Sequence, residues 1–515
     1  MGGTPEEVGV NRWVLLFVVM AGTFMAILDS TIMNVALARI ISYFGSTMEH
    51  VKWVSTGFMI AAAVSMPLTG WLGQRFGYGT VYNYALALFV GGAAASALSW
   101  DLQSLIAARV VQGLGAGVVQ PTSIAILTRT FPPQIRGRVF GIWAIGVMVA
   151  PSLGPTVGGF LLEAYNWRAI FIMSLVVGLL TLGFALAVLE RGSDEEPTAF
   201  DFNGYFALAV FLVVALLTVS NGQEQGWGSG TILLGWGVSA VSLLLFVALE
   251  WDAPHPLVPL RLFRIPDLSL ALFLTIYRSL GLFGGVFLMP IFLTQVQQRD
   301  SLQVGLLMMP GAVAMALTSP VAGVLTDRFG GRWPTVVGIA LMSYSLFAYH
   351  AVDALTGIWP ILWPQLVRGV GIGLVMTPVV TTGMNAVARE DAGHASWMLN
   401  LCQRGGGAFA ISILSFMLHR RTALHRELLG GSALATAPPP AALIERGRAL
   451  GFSSARAGAA VRAAFGRVLG LAAVARAFQD IFVLTALITA TAVVPAILLT
   501  VFRAPEPRAA PEASE

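Results

Sequence analysis

Residues 70–77 read Gly-Trp-Leu-Gly-Gln-Arg-Phe-Gly, and residues 323–330 read Gly-Val-Leu-Thr-Asp-Arg-Phe-Gly. The first glycine, the leucine, the arginine, the phenylalanine and the last glycine coincide. A second pair of motifs agrees in nearly the same alignment, with Gln-Gly-Leu-Gly-Ala-Gly at 112–117 and Arg-Gly-Val-Gly-Ile-Gly at 368–373. The chain therefore contains an internal repeat, and the two copies predict two halves of the same architecture.

The composition indicates that both halves lie in a membrane. Of the 515 residues, 56% are hydrophobic and 11% are charged, whereas soluble domains contain roughly 25% charged residues. Fourteen apolar segments approach the length of about 20 residues that crosses a bilayer. We interpret each as a helix, because only helices and closed barrels satisfy their backbone in lipid. The segment cores are residues 13–33, 54–72, 80–99, 103–125, 139–161, 169–189, 202–220, 230–249, 268–293, 304–325, 335–352, 358–380, 396–418 and 480–502.

We predict an all-α polytopic membrane protein with fourteen transmembrane helices. Residues 1–190 form the first six-helix half, and residues 191–266 form a linker, acidic at 194–197, and two inserted helices. Residues 267–502 form the second six-helix half, which includes a long outer loop at 419–479, and residues 503–515 form a cytoplasmic tail. Parallel six-helix halves are typical of secondary transporters, which move their halves around a central site.

Basic residues in the short loops set the predicted orientation, because cytoplasmic loops are enriched in arginine and lysine. Arg75, Arg138 and Arg328 fall on one side, and we predict that this side, with both termini, is cytoplasmic. The expected location is a bacterial inner (plasma) membrane. The loop at 419–479 contains nine arginines on the other side, but long loops follow the rule poorly. This loop is either solvated or in part an interfacial or partner-binding helix.

The sequence disfavours several other classes of function. The single cysteine, Cys402, excludes an internal disulfide and a cysteine-based metal cluster, and the six histidines do not fall at metal-ligand spacing. A phosphate-binding loop for ATP is missing, as are a nucleophile–base arrangement and a basic patch interleaved with aromatic residues. We therefore expect neither an enzyme nor a metal, cofactor or nucleic-acid site.

A series of motifs resembles the major facilitator superfamily, and within it the fourteen-span drug:proton antiporters of the EmrB/QacA type. The matching segments are residues 28–37, 70–77, 109–113, 151–159, 166–171 and 200–204. The resemblance implies the major facilitator fold and proton-coupled efflux of amphipathic small molecules by alternating access, as in multidrug exporters. It implies small-molecule substrates, protons and membrane lipid as partners, and it suggests a periplasmic adaptor protein and an outer-membrane channel.

Two alternatives stay open beside this interpretation. One is a dedicated exporter of a single metabolite such as a siderophore, an antibiotic or an amino-acid derivative. The other is a non-transporting membrane sensor or scaffold, since a fold does not determine a function. The chain also departs from the family pattern. Gln74 stands where the loop motif normally has an acid, and the thirteenth span offers Asn400, Gln403 and Arg404 where some members have acids.

Asp29 is the acid that we place well inside a span. An ionisable group in the bilayer is costly and usually functional, so we predict that Asp29 binds and releases the coupled proton. The alternative is a structural acid bonded to its neighbours Ser30, Thr31 or Asn34. In the family that the chain resembles, the arginine at the position of Arg109 is associated with proton coupling; the alternative is an arginine that extends to the membrane surface.

Further polar and small residues form two predicted groups. The first could line a substrate cavity: Asn34, Gln112, Arg278, Gln365, Arg368, Asn400, Gln403 and Arg404. Its three buried arginines suggest tolerance of anionic or zwitterionic groups, or else bond backbone carbonyls or lipid phosphates. The second group belongs to the conformational motifs, where glycine permits close packing and proline bends a helix: Gly70, Arg75, Gly77, Gly113, Gly154, Pro155, Gly158, Gly159, Gly323, Asp327, Arg328 and Gly330.

Overall fold

The computed structural model describes residues 12–189, 192, 199–251, 253–254, 256–430, 445 and 454–499. Within these ranges the chain forms helices and no strands. The acidic stretch at 194–197, the middle of the 419–479 segment and the tail at 503–515 lie outside the described residues.

The first half begins with a long helix and continues through seven more. They are α1 (Arg12–Phe44), α2 (Met48–Val51), α3 (Trp53–Ser65), α4 (Leu68–Phe76), α5 (Tyr78–Ala97), α6 (Leu102–Thr130), α7 (Arg136–Ala164) and α8 (Arg168–Val188). The pair Met48–Ser65 and Leu68–Phe76 meets at 54°. Pro67 lies at this bend, where its missing N–H interrupts the helix.

Two helices follow the first half, and eight form the second. The inserted pair is α9 (Phe202–Gln225) and α10 (Gly230–Trp251). The second half consists of α11 (Pro266–Val286), α12 (Leu288–Gln295), α13 (Ser301–Phe329), α14 (Arg332–Ala348), α15 (Trp359–Asn385), α16 (Ala392–Gly430), α17 (Ser454–Thr491) and α18 (Val493–Leu498). We call the end of the bundle where α1 begins the inner end, following the predicted topology, and the opposite end the outer end.

The helices agree with the predicted segments in position. Among the described residues, ten helices are long and apolar enough to cross a membrane, or up to twelve if each of two bent pairs is one span. The two other predicted segments, 80–99 and 335–352, coincide with α5 and α14. Both are helical, and the total of fourteen spans stays a prediction.

The described parts of the outer segment at 419–479 are helical, as one of the two alternatives for this loop allowed. Helix α16 continues to Gly430, and α17 already begins at Ser454. Polar side chains join the extension of α16 to α17, because the Oδ2 atom of Asp480 lies 3.3 Å from Arg421 Nη1 and 2.9 Å from His425 Nε2. The predicted apolar cores do not include these helical turns, because the turns are rich in alanine and arginine.

The inserted helices pack against both halves on one side of the bundle. Tyr205 Oη on α9 donates to the carbonyl of Val64 in the first half at 3.3 Å. Ser412 Oγ in the second half donates to the carbonyl of Val219 on α9 at 3.4 Å. The ring of Trp236 on α10 stacks on Phe409 of α16, with ring centroids 6.0 Å apart.

The halves meet mainly where α7 lies against α13 and where α6 lies against α16. At the inner end, Asp327 at the end of α13 accepts hydrogen bonds from the backbone N–H groups of Gly137 (2.7 Å) and Arg138 (3.0 Å). A carboxylate at this place satisfies free N–H groups of α7 and interacts favourably with the positive end of the helix dipole. Asp327 therefore holds the two halves together at the inner end.

Candidate functional site

Asp29 lies about 25 Å along α1 from its inner end, at 1.5 Å per residue. Its side chain is completely buried. Oδ2 accepts a hydrogen bond of 2.5 Å from Arg109 Nη1, and Oδ1 accepts from Gln112 Nε2 at 3.0 Å and from Ser174 Oγ at 2.8 Å. Three side chains from α6 and α8 therefore bond the carboxylate of α1.

Arg109 is buried as completely as Asp29. Its Nε donates to the carbonyl of Val54 at 3.3 Å, and its Nη1 also donates to Gln112 Oε1 at 2.8 Å. The guanidinium carbon lies 4.2 Å from the ring centroid of Phe58 and 5.7 Å from that of Phe171. The apolar rings exclude water, so the charge of Arg109 is balanced inside the protein by Asp29.

Local structure brings Arg109 to this position. Asp101 caps the start of α6 by accepting a hydrogen bond from the backbone of Ser104 at 2.7 Å, and this bond lowers the pKa of the Asp101 carboxyl. Arg109 follows two helical turns later. At Gly113 a Cβ atom would lie 2.4 Å from the carbonyl oxygen of Phe58, so only glycine lets α6 approach α3 closely enough for the Arg109–Val54 bond.

Hydrogen bonds from Asp29 to its sequence neighbours, and an Arg109 side chain extended to the membrane surface, are not observed among the described residues. Ser30 Oγ donates to the carbonyl of Ile27 at 2.8 Å, and Thr31 Oγ1 donates to the carbonyl of Leu28 at 2.9 Å. Asn34 is exposed, so it does not share the buried position of Gln112. Arg109 does not extend to the membrane surface, because it is buried against Phe58.

The second half contains a corresponding cluster on α15. Arg368 donates from Nη2 to Gln365 Oε1 at 2.8 Å and from Nη1 to the carbonyl of Leu282 at 3.3 Å. Tyr349 Oη donates to the same Gln365 oxygen at 2.9 Å. All of these partners are uncharged. Gln365 and Arg368 therefore form a closed hydrogen-bond network rather than an ion pair.

A third group lies between α11, α16 and α6. Arg278 Nη2 donates to Gln403 Oε1 at 3.2 Å, and Arg404 Nη2 donates across the halves to Gln120 Oε1 at 3.3 Å. Asn400 Nδ2 donates to the carbonyl of Ser396 at 2.9 Å. The structure thus divides the predicted polar lining into the Asp29 cluster, the Arg368 cluster and this group.

The predicted motif residues occupy turns and close contacts. Gly77 and Gly330 end α4 and α13 with φ of 82° and 79°, a left-handed conformation that favours glycine. A Cβ at Gly323 would lie 2.1 Å from the carbonyl oxygen of Gly137. Arg75 stacks over Trp71 at 5.4 Å. Three of the remaining motif glycines make close contacts: Gly70 packs against His394, and Gly154 and Gly158 pack against α1.

The other motif residues do not. Gly159 has open space at its Cβ position, and Pro155 and Arg328 are exposed.

The sequence did not identify Ser174, Tyr349 and Gln120 as partners in these clusters. Each is a polar residue inside or next to an apolar segment, which is a weak signal because hydroxyls in spans commonly bond their own helix backbone. Among the described residues, no group of three or more His, Cys, Asp or Glu side chains could hold a metal ion.

Comparisons with known proteins agree with this architecture. The family model of the Major Facilitator Superfamily matches residues 19–411. A multidrug resistance protein B homolog of Mycobacterium tuberculosis is 32% identical over 80% of this chain and 77% of its own. The multidrug export protein EmrB of Haemophilus influenzae is 31% identical over 79% of this chain and 80% of its own.

A solved structure extends the agreement to three dimensions. The proton:xylose symporter XylE superposes with a TM-score of 0.58 at 15% identity, covering 92% of this chain and 94% of that chain. This likeness concerns the fold alone. The family match and the identity to the multidrug resistance relatives show that the chain belongs to the major facilitator superfamily and that it is a transporter related to multidrug resistance and export proteins.

Proposed function

We propose that this transporter exports amphipathic small molecules in exchange for protons, by alternating access of its two halves, with Asp29 as the proton site. The observation that carries the proposal is the burial of Asp29 with Arg109 as its charged partner. Ionisable side chains inside a membrane commonly mark proton and ion pathways.

The pair offers two electrically distinct states. When Asp29 is ionised, its charge is balanced by Arg109, as in the structure. When Asp29 binds a proton, Arg109 loses its counter-charge and must find another anion or a different environment, because an isolated buried charge is unfavourable. Proton binding therefore changes the interactions between α1 and α6, and this change is available to drive movement of the halves.

The contacts between the halves support an outward-facing arrangement. Among the described residues, their side-chain hydrogen bonds lie at the inner end or at mid-depth. Asp327 binds the start of α7, Gln74 Nε2 donates to the carbonyl of Glu390 at 3.2 Å, and Arg404 bonds Gln120. In this arrangement a proton would reach Asp29 from the outer end and leave after the inner contacts open.

The proposal includes a location and partners. We place the protein in a bacterial inner membrane with both termini cytoplasmic, as the loop charges predict. For a cell with two membranes, the proposal includes a periplasmic adaptor and an outer-membrane channel as partners, which the sequence resemblance implies. Retention of an adaptor on the purified protein would test this part separately.

The decisive experiment measures proton movement in sealed vesicles that contain the purified protein. A pH gradient is imposed, and ethidium is added as the transported cation. We expect the wild type to dissipate the gradient only when the dye is present, and Asp29→Asn to abolish this response. Asp353→Asn, which changes an exposed loop acid, is the matched control and should behave like the wild type.

Each other outcome contradicts a specific part of the proposal. Dissipation that persists in Asp29→Asn would show that another group binds the proton. If no compound in a panel of cationic, neutral and anionic molecules caused dissipation, multidrug antiport would be wrong, and a dedicated exporter or a scaffold would take its place.

A further inference from the structure

We infer that Arg404 and Arg278 form a subsite, between the halves and midway across the membrane, for an anionic group of the transported molecule. The inference rests on the proposed export function and names a substrate class for it. The class is amphipathic compounds with a carboxylate, sulfonate or phenolate, including zwitterions.

Arg404 lies where the halves meet. It is twelve residues into α16, about 18 Å from the inner end at 1.5 Å per residue. Its hydrogen bond to Gln120 crosses from the second half to α6 of the first half. A ligand bound at this guanidinium would therefore contact both halves, as a substrate site for alternating access requires.

Arg278 lies at the same depth on α11, also about 18 Å from the inner end. Its Nη2 is bonded to Gln403, the residue that precedes Arg404 on α16. Its side chain is only 4% exposed, and its buried Nε has no hydrogen-bond partner. A buried donor without a partner is costly, so this N–H is available for a ligand.

The charge around these arginines is unbalanced. In the part of the chain that the structure describes, neither guanidinium forms an ion pair with a carboxylate; the partners found are the amides of Gln403 and Gln120. Burying a charge is unfavourable unless it is paired. Arginine binds carboxylate and similar groups through two parallel hydrogen bonds, so an anion is the ligand that best fits the pair.

Arg368 differs from Arg278 and Arg404, because its guanidinium has a structural role in packing α15 against α11. Its guanidinium is enclosed by Gln365 and the carbonyl of Leu282, and a Cβ at Gly285 would lie 2.4 Å from it. No space is left for a ligand on that side. The structure thus assigns ligand binding to Arg278 and Arg404 but not to Arg368.

Neighbouring residues on α16 suit the apolar part of such a ligand. Trp397 and Asn400 precede Arg404 by seven and four residues, a spacing that places all three on one face of the helix. Both are buried, and the indole N–H of Trp397 has no hydrogen-bond partner. This face therefore presents an aromatic ring and polar groups beside the guanidinium.

The test compares two dyes that differ by one charge: a zwitterionic rhodamine with a free carboxylate and the methyl ester of the same dye. Binding to the purified protein in lipid nanodiscs is measured by fluorescence anisotropy at one pH, with no gradient. We expect the carboxylate dye to bind about tenfold more tightly than the ester. Arg404→Gln and Arg278→Gln should each weaken binding of the carboxylate dye about tenfold without changing binding of the ester.

Two variants keep the test independent of folding. Arg404→Lys retains the positive charge and should bind the carboxylate dye more tightly than Arg404→Gln. Arg39→Gln changes an exposed arginine and should match the wild type. Equal affinity for the two dyes, failure to bind the carboxylate dye, or equal weakening of both dyes in the Gln variants would overturn the subsite.

The same measurement separates this inference from the proposed function. Tight, carboxylate-dependent binding without dye-driven proton movement in vesicles would support the subsite and contradict proton-coupled export. Proton movement driven by ethidium, together with equal binding of the two rhodamines, would support export and overturn the subsite.

Discussion

Helices α6 and α15 occupy corresponding positions in the repeated halves, and each contains an arginine–glutamine pair with the two residues three positions apart, in opposite order. On α6 the order is Arg109 then Gln112, and on α15 it is Gln365 then Arg368. Both arginines bond the glutamine of their own helix. The two halves therefore keep the same pair of side chains but reverse their places.

The halves differ in what faces the arginine. Arg109 meets the carboxylate of Asp29 on α1. By the alignment of the repeated motifs, residues 282–285 of α11 correspond to Asp29. There Arg368 donates to the carbonyl of Leu282 and packs against Gly285, which has no side chain. The same scaffold thus holds an ion pair in one half and an arginine with neutral hydrogen-bond partners in the other. Under the proposed function, the ion pair that takes up the proton therefore lies in the first half.

The largest expected effect comes from breaking the first-half pair. Arg109→Gln leaves the Asp29 carboxylate buried without its counter-charge and should destabilise the protein by about 3–5 kcal/mol. Combining it with Asp29→Asn removes both charges and should recover most of that loss without restoring proton coupling. Thermal unfolding in nanodiscs measures the stabilities. A double variant as unstable as Arg109→Gln would show that the two residues are not coupled.

The equivalent change in the second half should cost less. Arg368→Gln removes hydrogen bonds but leaves no charge behind, so we expect a loss of about 1.5–3 kcal/mol, the value of a hydrogen bond to a charged group. The same unfolding measurement applies. If Arg368→Gln were as destabilising as Arg109→Gln, an uncompensated carboxylate would not be the reason for the first-half effect.

A smaller loss of stability is expected at Gly285, the glycine of the second half that lies where the motif alignment places the counterpart of Asp29. Gly285→Ala would place a methyl group 2.4 Å from the Arg368 guanidinium. The guanidinium is the end of a flexible side chain and can move, so we expect a loss near the low end for overpacking, about 1 kcal/mol. Gly237→Ala on α10, which has open space at its Cβ position, is the control. Equal midpoints of unfolding for the two variants would argue against a close Gly285–Arg368 contact.

The smallest loss of stability is expected at Ser174, which bonds the carboxylate of Asp29 in the first half. Ser174→Ala removes one of the hydrogen bonds to Asp29, while Gln112 continues to bond the same oxygen. We expect a loss of about 0.5 kcal/mol, at the low end for a single hydrogen bond, with antiport retained in the vesicle assay. Complete loss of antiport in this variant would mean that Ser174 is itself part of the proton path.

Part of this comparison was predictable from the sequence. The repeated motifs predicted two similar halves, and an acid inside an apolar segment marked Asp29. The three-residue spacing of Arg109 and Gln112 is one that places both side chains on the same helix face. Their contact with Asp29 was not derivable, because helical periodicity says which face is polar but not which helix lies opposite it.

Other features depended on tertiary contacts that leave little trace in the sequence. Asn34 was grouped with Gln112 in the predicted polar lining, but the turn of α1 leaves Asn34 exposed, whereas Gln112 is buried beside Asp29. The extension of α16 is joined to α17 by Arg421 and Asp480, which are far apart in the sequence. Such pairs form only after the helices pack, so a local pattern does not reveal them.

The inserted helices have a consequence for molecules dissolved in the bilayer. Helix α9 is hydrogen-bonded to Val64 of the first half and to Ser412 of the second half. It therefore covers the interface between the halves on the side of the bundle where α3 and α16 lie. A hydrophobic compound that diffuses laterally in the membrane therefore meets α9 and α10 there, not the interface that contains Arg404. Elsewhere the halves meet where α7 lies directly against α13, so the bundle presents different surfaces to the bilayer on its different sides.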